Sequence, residues 1–186
     1  MLIYSIIIIY MIICVYEFDY KKRKGSKICY FFLWIALVLI AGLQDKLGGD
    51  NLSYEQYFQY MPSLQNLSYK DFVIGGRNQP LWIVFISLVK SIKDSYVCFH
   101  IIHSLVVNSV LLYFFSTYSN FRFTVALLFF LSFNFLYFNI EIQRESLAVI
   151  FFCISIKFIL KKHYLQYYLI NCISFFILFE TVTTIV

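Results

Sequence analysis

The residue best suited to chemistry near the front of the chain is Asp50, which follows the adjacent glycines Gly48 and Gly49. Paired glycines adopt backbone conformations closed to other residues and let a ligand approach the main chain closely. Tyr54 and Tyr57 follow at helical spacing and share one face of a short helix suited to a membrane interface. The stretch is therefore a candidate ligand site. The alternative is that Asp50 caps this helix while the tyrosines form a membrane-interface belt.

A second glycine pair, Gly75 and Gly76, directly precedes Arg77, and Pro80 follows three residues later. The glycines interrupt regular structure, and a proline can open the next short helix. Two interpretations of Arg77 stay open at this level. It either binds a phosphate or reaches from an apolar surface toward water.

The third cluster is a short polar joint that contains Glu141, Gln143, Arg144 and Glu145 between two apolar runs. Charges at a membrane boundary often have only a structural role. Here, however, an acid, an amide and a guanidinium crowd together. The planar guanidinium of Arg144 offers several donors that can grip a diphosphate, so this cluster is a candidate ligand site too.

The histidines and cysteines do not point to a metal. His100 and His103 share a helix face, but no carboxylate lies at helical spacing nearby, so we expect a polar contact between helices with Ser104 or Asn108. The five cysteines lie in or beside apolar runs, show no CxxC spacing and are odd in number. We predict no disulfide framework, no metal site and no cofactor.

Composition indicates which solvent the chain must face. Hydrophobic residues make up 61% of it, charged residues only 13%, and its mean hydropathy is +0.77. Soluble domains are about 45–50% apolar and about 25% charged. The net charge of +5 comes from basic residues between apolar runs, which is a topology signal and excludes nucleic acid as the expected partner. The sequence predicts a membrane protein.

Apolar runs near the length of a spanning helix, about 20 residues, recur along the chain. The predicted spans are Leu2–Phe18, Ile28–Leu43, Tyr96–Thr117, Phe123–Ile140, Ser146–Leu160 and Tyr164–Thr181. The segment Pro80–Ile92 is apolar but short, which favours a re-entrant or interfacial helix. The predicted fold class is all-α, a polytopic transmembrane helical bundle of about six spans plus this short helix.

Charge predicts the topology. The basic cluster that begins at Lys21 follows the first apolar run, so this run is a retained helix with its N-terminus outside, not a cleaved signal. If Pro80–Ile92 does not cross, Lys157, Lys161 and Lys162 lie inside, as positive charges tend to do. The external loop 44–79 and the Glu141–Glu145 joint then face the same side.

The chain forms a single multi-pass domain, residues 1–186, in this interpretation. It stops at Ile185-Val186, inside or just after an apolar run and without a charged flank. We therefore expect it to be the N-terminal part of a longer domain.

The order of these clusters resembles the EpsG family, the Wzy-type polymerases of bacterial exopolysaccharide and capsular polysaccharide. Members carry a Gly-Leu-Arg-x-x-x-Gly-x-Asp element with a tyrosine soon after, a proline-led short apolar segment, and an Arg-Gln-x-Leu/Ile-Ala element that opens a helix. The corresponding stretches here are Gly42–Asp50 with Tyr54 and Tyr57, Gln79–Trp82 leading to Lys90, and Arg144–Ala148. The resemblance covers most of the chain, and members are roughly twice as long.

Two positions depart from the family pattern. Gln44 stands where the family has an arginine, which removes a positive charge, and Glu145 stands where it has a glutamine, which adds a negative charge beside Arg144. Both changes would weaken a site for an anionic diphosphate.

The resemblance implies polymerisation of polyprenyl-diphosphate-linked oligosaccharide repeat units at the outer side of the bacterial cytoplasmic membrane. The chain would then be a membrane glycosyltransferase whose partners are the lipid-linked glycan, membrane lipid and other polysaccharide-assembly proteins. In this hypothesis Asp50 is the base or sugar-orienting carboxylate, and Arg144 and Arg77 are the diphosphate ligands. Substrate-contacting side chains complete the expected site: Tyr54, Tyr57, Glu141 and Gln143.

Two other functions are compatible with the sequence. A polysaccharide flippase or transporter component would carry charges that face a cavity within the spans. Lys157 is the only basic residue well inside a predicted span, so the sequence supports transport less than polymerisation. An inactive remnant of a truncated gene would explain how the chain ends.

Overall fold

In the computed structural model, residues 2–44, 50–72, 79–132, 135 and 137–178 are described, and all regular structure within these ranges is helical. Eight α-helices follow one another: α1 (Leu2–Cys14), α2 (Ser26–Gly42), α3 (Asn51–Tyr60), α4 (Pro80–Ile92), α5 (Tyr96–Tyr118), α6 (Arg122–Ser132), α7 (Gln143–Leu160) and α8 (Tyr164–Leu178). Single π-helical segments extend α1 (Val15–Tyr20) and precede α7 (Tyr137–Glu141). Two short 3₁₀ turns, Leu64–Asn66 and Tyr69–Phe72, follow α3.

The helices agree with the predicted fold class, and their lengths refine it. Among the described residues, two segments are long and apolar enough to cross a membrane, Leu2–Tyr20 and Tyr96–Tyr118, and four further apolar helices are shorter. Within the predicted span Phe123–Ile140, the described residues belong to α6, to a helical position at 135 and to the π-helical segment Tyr137–Glu141. The six-span count therefore remains a prediction.

Large apolar side chains cover the outside of these helices. Residues along α1 such as Ile3, Ile6 and Ile9 are more than half exposed, as are Phe31 and Phe32 on α2. A contiguous apolar surface of this kind is rare on soluble proteins and suits contact with lipid.

The contact between α2 and α5 determines which ends of these two helices lie together. The Ser104 hydroxyl donates to the Val38 carbonyl at 3.0 Å, and the Tyr30 hydroxyl donates to the Leu112 carbonyl at 2.9 Å. As numbers rise along one helix they fall along the other, so α2 and α5 are antiparallel. The chain therefore leaves α2 and enters α5 at the same end, and the segment between them makes no net crossing.

Helix α4 belongs to the segment between α2 and α5 and packs against other helices at this end of the bundle. Pro80 occupies its first turn, where the missing N–H costs nothing, and its buried residues include Trp82 and Ile86. Near its C-terminus the Lys90 ammonium donates to the carbonyls of Phe58 and Gln59 at 3.0 and 2.9 Å. These carbonyls belong to the last turn of α3, which carries partial negative charge. Lys90 thus ties α4 to α3 and makes the two helices one cap over the start of α5.

A polar cluster at the opposite end of the bundle joins α1, α2 and α6. The Asp19 carboxylate accepts hydrogen bonds from the backbone N–H and hydroxyl of Thr124, at 2.7 and 2.9 Å, and so caps the start of α6. Arg122 donates to the Ser26 hydroxyl at 2.5 Å. We call this region the basic end, because the lysines that follow α1 lie beside it in sequence; the end that carries α3 and α4 is the cap end.

Candidate functional site

A cavity of about 340 Å³ opens at the cap end, between α3, α4 and the start of α7. Its lining consists of Asp50, Ser53, Tyr54, Tyr57, Gln79, Trp82 and Arg144. Four of these residues belong to the site predicted from sequence: Asp50, Tyr54, Tyr57 and Arg144. The structure therefore brings the carboxylate and the guanidinium into one cavity although about half of the chain separates them.

Asp50 precedes the first residue of α3 and takes the position of its N-cap. Its carboxylate, however, makes no capping hydrogen bond to the described turn that follows, and the residue is exposed at the cavity. The Asp50 backbone N–H points to Oε2 of Glu141 across 3.5 Å, which brings the start of α3 to the start of α7. The interpretation of Asp50 as a helix cap thus accounts for its position but not for its side chain.

Arg144 is the second residue of α7, and its side chain is only 17% exposed. Its Nε–H donates to the Tyr54 hydroxyl at 3.3 Å, and its Cζ lies 5.9 Å from the centroid of that ring. A cation in the first turn of a helix opposes the macrodipole and costs about 0.3–1 kcal/mol. An anion bound here would meet both the guanidinium and the positive end of α7, and the arrangement becomes favourable.

The side chain of Tyr54 forms a wall between Arg144 and Trp82. It is 9% exposed, and its ring packs edge-on against Trp82 with centroids 5.8 Å apart. Burial raises the pKa of the Tyr54 phenol above its usual value of 10, and the neighbouring Arg144 opposes this rise only in part. The phenol is therefore neutral at physiological pH and keeps a proton that it can donate to a ligand.

The remaining residues of the predicted cluster divide between the cavity rim and the protein interior. Glu141 is half-buried and contacts the Asp50 backbone as described above. The Glu145 carboxylate lies 3.6 Å from Nη2 of Arg144. Gln143 is fully buried and points away from the cavity toward α5, where its Nε2 lies 3.2 Å from Nε2 of His100. A direct contact between Gln143 and a ligand in this cavity would need the start of α7 to turn.

Arg77 lies outside the described residues, as do the glycine pairs at 48–49 and 75–76. Its role as a diphosphate ligand stays a prediction. Gln79, two residues further on, lines the cavity and is 3% exposed.

Gln44, which replaces the arginine of the resembled motif, is not among the residues that line the cavity. Its side-chain amide donates a hydrogen bond to the Tyr4 hydroxyl on α1. Gly42, at the start of the same motif, has a different role: a methyl group on its α-carbon would lie 2.9 Å from Cα of Ile101. This first element of the motif therefore contributes a close helix contact and, at its end, Asp50.

Trp82, Gln79 and Ser53 complete the lining and were not among the predicted site residues. Sequence offered one signal for the first two, their place in the proline-led stretch Gln79–Trp82. A buried indole with an amide beside it gives the cavity an apolar wall and a polar corner. Such a mixture suits a sugar ring, which has both apolar C–H faces and hydroxyl edges.

The two histidines on α5 do make polar contacts between helices, but with partners other than those predicted. His100 Nε2 lies 3.1 Å from Oδ1 of Asn51, and His103 Nε2 lies 2.9 Å from the Gln143 carbonyl. Asn108, one of the predicted partners, instead donates to Ser104 and to Oδ1 of Asn139.

Comparisons with known proteins add one match. No curated protein and no solved structure matches the chain. The EpsG family matches residues 27–179, a range that contains α3 to α8, all of α2 except its first residue, and every described residue of the cavity. Membership and the apolar helices together make the chain a membrane protein of polysaccharide biosynthesis. With most of its length matched, and with the resembled motifs meeting at one cavity, the chain belongs to the EpsG family.

Proposed function

We propose that this protein polymerises polyprenyl-diphosphate-linked oligosaccharide repeat units in the synthesis of a bacterial exopolysaccharide or capsule. The observation that carries the proposal is the meeting of Asp50 and Arg144 at one cavity with aromatic walls. A carboxylate can accept a proton or orient a sugar, and a guanidinium can stabilise a leaving diphosphate.

In the proposed reaction, a hydroxyl oxygen of one glycan bonds to the anomeric carbon of another. The bond between that carbon and the diphosphate oxygen breaks, and polyprenyl diphosphate leaves with the electron pair. Asp50 accepts the proton of the attacking hydroxyl or orients that sugar. Arg144, with Arg77 in the same role, stabilises the negative charge that develops on the leaving diphosphate.

The side chains around these groups have supporting roles. Tyr54 holds the Arg144 guanidinium by its hydroxyl and presents its own proton to the ligand. Tyr57 offers ring surface to the sugars, Trp82 lies buried against Tyr54 and supports it, and Glu141 fixes the Asp50 backbone. Glu145 pairs with Arg144, so a bound diphosphate must compete with it.

We place the cap end on the outer side of the cytoplasmic membrane. The antiparallel contact of α2 with α5 puts both ends of the segment 43–95 on one side, which favours six spans with α4 half-inserted. The basic residues between α1 and α2 then lie in the cytoplasm, in accord with the tendency of positive charge to remain inside. Lipid-linked repeat units would reach the cavity from the outer leaflet.

The test is replacement of Arg144 in cells that make the polymer. Arg144→Ala should leave single repeat units in place of long chains, because charge on the leaving diphosphate is no longer stabilised. Arg144→Lys keeps the charge but loses the planar fork, and we expect a partial loss of chain length. Gel analysis of the extracted glycan measures both.

The matched control is Arg23→Ala. Arg23 is an arginine of the basic end, 62% exposed and paired with Glu17 at 2.6 Å, far from the cavity. Its loss should leave chain length unchanged. Normal chains from Arg144→Ala would contradict the proposal. Single repeat units from the unaltered chain would contradict it as well and would favour the inactive remnant.

A further inference from the structure

A row of buried polar side chains lies directly beneath the cavity and joins three helices. Asn51 on α3, His100 on α5 and Gln143 on α7 are 2%, 4% and 0% exposed. Nε2 of His100 lies 3.1 Å from Oδ1 of Asn51 and 3.2 Å from Nε2 of Gln143. Tyr96 donates its hydroxyl proton to the same Asn51 oxygen at 2.6 Å. One imidazole nitrogen thus meets side chains from two other helices.

The two partners of His100 occupy corresponding positions. Asn51 is the first residue of α3, immediately after Asp50, and Gln143 is the first residue of α7, immediately before Arg144. The ring therefore holds the two backbone positions from which the carboxylate and the guanidinium extend. A second contact fixes α7 alone: His103 Nε2 lies 2.9 Å from the Gln143 carbonyl and 3.1 Å from the Ser146 hydroxyl.

Donor and acceptor chemistry defines what His100 must do. The Asn51 carbonyl oxygen can only accept, so His100 Nε2 carries the proton and donates it. Oε1 of Gln143 is buried without a hydrogen-bond partner among the described residues. A half-turn of the Gln143 amide brings this oxygen to the same N–H. In that arrangement the Nε2–H of the ring is shared between the Asn51 and Gln143 oxygens.

We propose that His100 is a positioning residue that sets the distance between Asp50 and Arg144 through Asn51 and Gln143. The inference rests on the proposed function for its kinetic consequences. Its structural content, that His100 holds the starts of α3 and α7 together, does not depend on that function. His100 is not among the described residues that line the cavity, so its loss should disturb geometry and leave the ligand-binding groups in place.

The kinetic test compares His100→Leu, which removes the donor, with His100→Gln, whose amide nitrogen can reach the position of Nε2. For His100→Leu we expect kcat to fall about 100-fold, the usual cost of a 1 Å misplacement of reacting groups, with KM changed less than about threefold. His100→Gln should recover at least about tenfold of that loss. Equal impairment by both variants, or a KM increase that accounts for the whole effect, would overturn the inference.

A cross-linking test measures the geometry without any activity. Asp50→Cys and Glu141→Cys introduce thiols on the two segments that His100 holds together, and each single variant serves as the control against the native cysteines. Treatment of membranes with a short thiol-to-thiol cross-linking reagent should join positions 50 and 141, detected as a linked peptide by mass spectrometry. The yield should fall at least about fivefold when His100→Leu is added and recover with His100→Gln. An unchanged yield would overturn the inference even if polymerase activity were absent.

Discussion

Each end of the bundle contains an aspartate and an arginine. At the basic end these side chains bind neighbouring helices, whereas at the cap end they line a cavity. At the basic end, Asp19 is 6% exposed and its carboxylate is occupied by two donors from Thr124. Arg122 lies against the rings of Tyr30 and Phe123, with its Cζ 4.9 and 5.5 Å from their centroids. These charges hold helices together. Their cap-end counterparts, Asp50 and Arg144, line a cavity of about 340 Å³.

The difference shows that an acid at the start of a helix has to be judged by where its carboxylate points. Asp19 comes from another segment and caps α6, whereas Asp50 takes the cap position of α3 and leaves that turn uncapped. A protein that needed only a stable α3 would gain about 1 kcal/mol from a capping side chain here. The carboxylate of Asp50 faces the cavity instead, which favours a role toward a ligand.

The largest expected effect is on catalysis at the cap end. Asp50→Asn keeps the size of the side chain but removes the proton acceptor, and general-base catalysis contributes typically about 10²–10⁴-fold in rate. We expect a loss of polymerisation rate in that range with no fall in thermal stability, because the carboxylate makes no capping bond. An in vitro assay with lipid-linked repeat units and thermal unfolding in detergent measure the two quantities. A variant as active as the parent would remove Asp50 from the mechanism.

The complementary change at the basic end should lower the stability of the fold and leave the polymerisation rate nearly unchanged. Asp19→Ala removes the cap of α6, and we expect it to lower the free energy of unfolding by about 0.5–2 kcal/mol. The rate per folded molecule should stay within about twofold of the parent in the same assay. If Asp19→Ala instead abolished polymerisation in a folded protein, the assignment of distinct roles to the two ends would fail.

A smaller effect than that of Asp50→Asn is expected from a second change within the cap end. Tyr54→Phe removes the hydroxyl that accepts a hydrogen bond from Arg144, which is worth about 1.5–3 kcal/mol for a charged partner and therefore about 10–100-fold in rate if it is felt fully in the transition state. We expect the lower part of that range, because Arg144 keeps its contact with Glu145.

Tyr54 also has a defined pH signature. Because its pKa is raised by burial, its contribution to stability is fully present below about pH 10 and is lost as the pH rises above that value. The rate between pH 6 and 9 should therefore have the same profile in the parent and in Tyr54→Phe. A basic limb below pH 9 that disappears in the variant would show that the phenol ionises in the working range.

Sequence predicted some elements well because their signals are local. The bounds of α4 coincide with the predicted Pro80–Ile92, since a proline begins the run and an apolar stretch of fixed length follows. Hydropathy did not predict the π-helical segment at the end of the span Phe123–Ile140, because it reports side-chain chemistry and not the backbone hydrogen-bond pattern. The π-helical segment before α7 places Asn139 against Asn108, a tertiary contact that composition cannot reveal.

The sequence predicted which residues line the cavity better than it predicted the direction in which each side chain points. Asp50, Tyr54, Tyr57 and Arg144 were identified by residue type and by the resembled motifs, and all four line the cavity. Gln143 was expected at the ligand but points inward, because α7 begins at Gln143 and not at Ser146, and this start sets the direction of each side chain. Partners such as Asn51 for His100 depend on which helices meet, which a single sequence does not specify.

Gly42, where α2 contacts α5 most closely, bears on where the lipid tail of the proposed substrate can lie. At Gly42 even a methyl group would come within 2.9 Å of the Ile101 main chain, so the two backbones touch with nothing between them. A prenyl tail needs far more width than a methyl group. Under the proposed function, we therefore expect the prenyl tail of the substrate to lie along another face of the cap end and not to pass between these helices at this level.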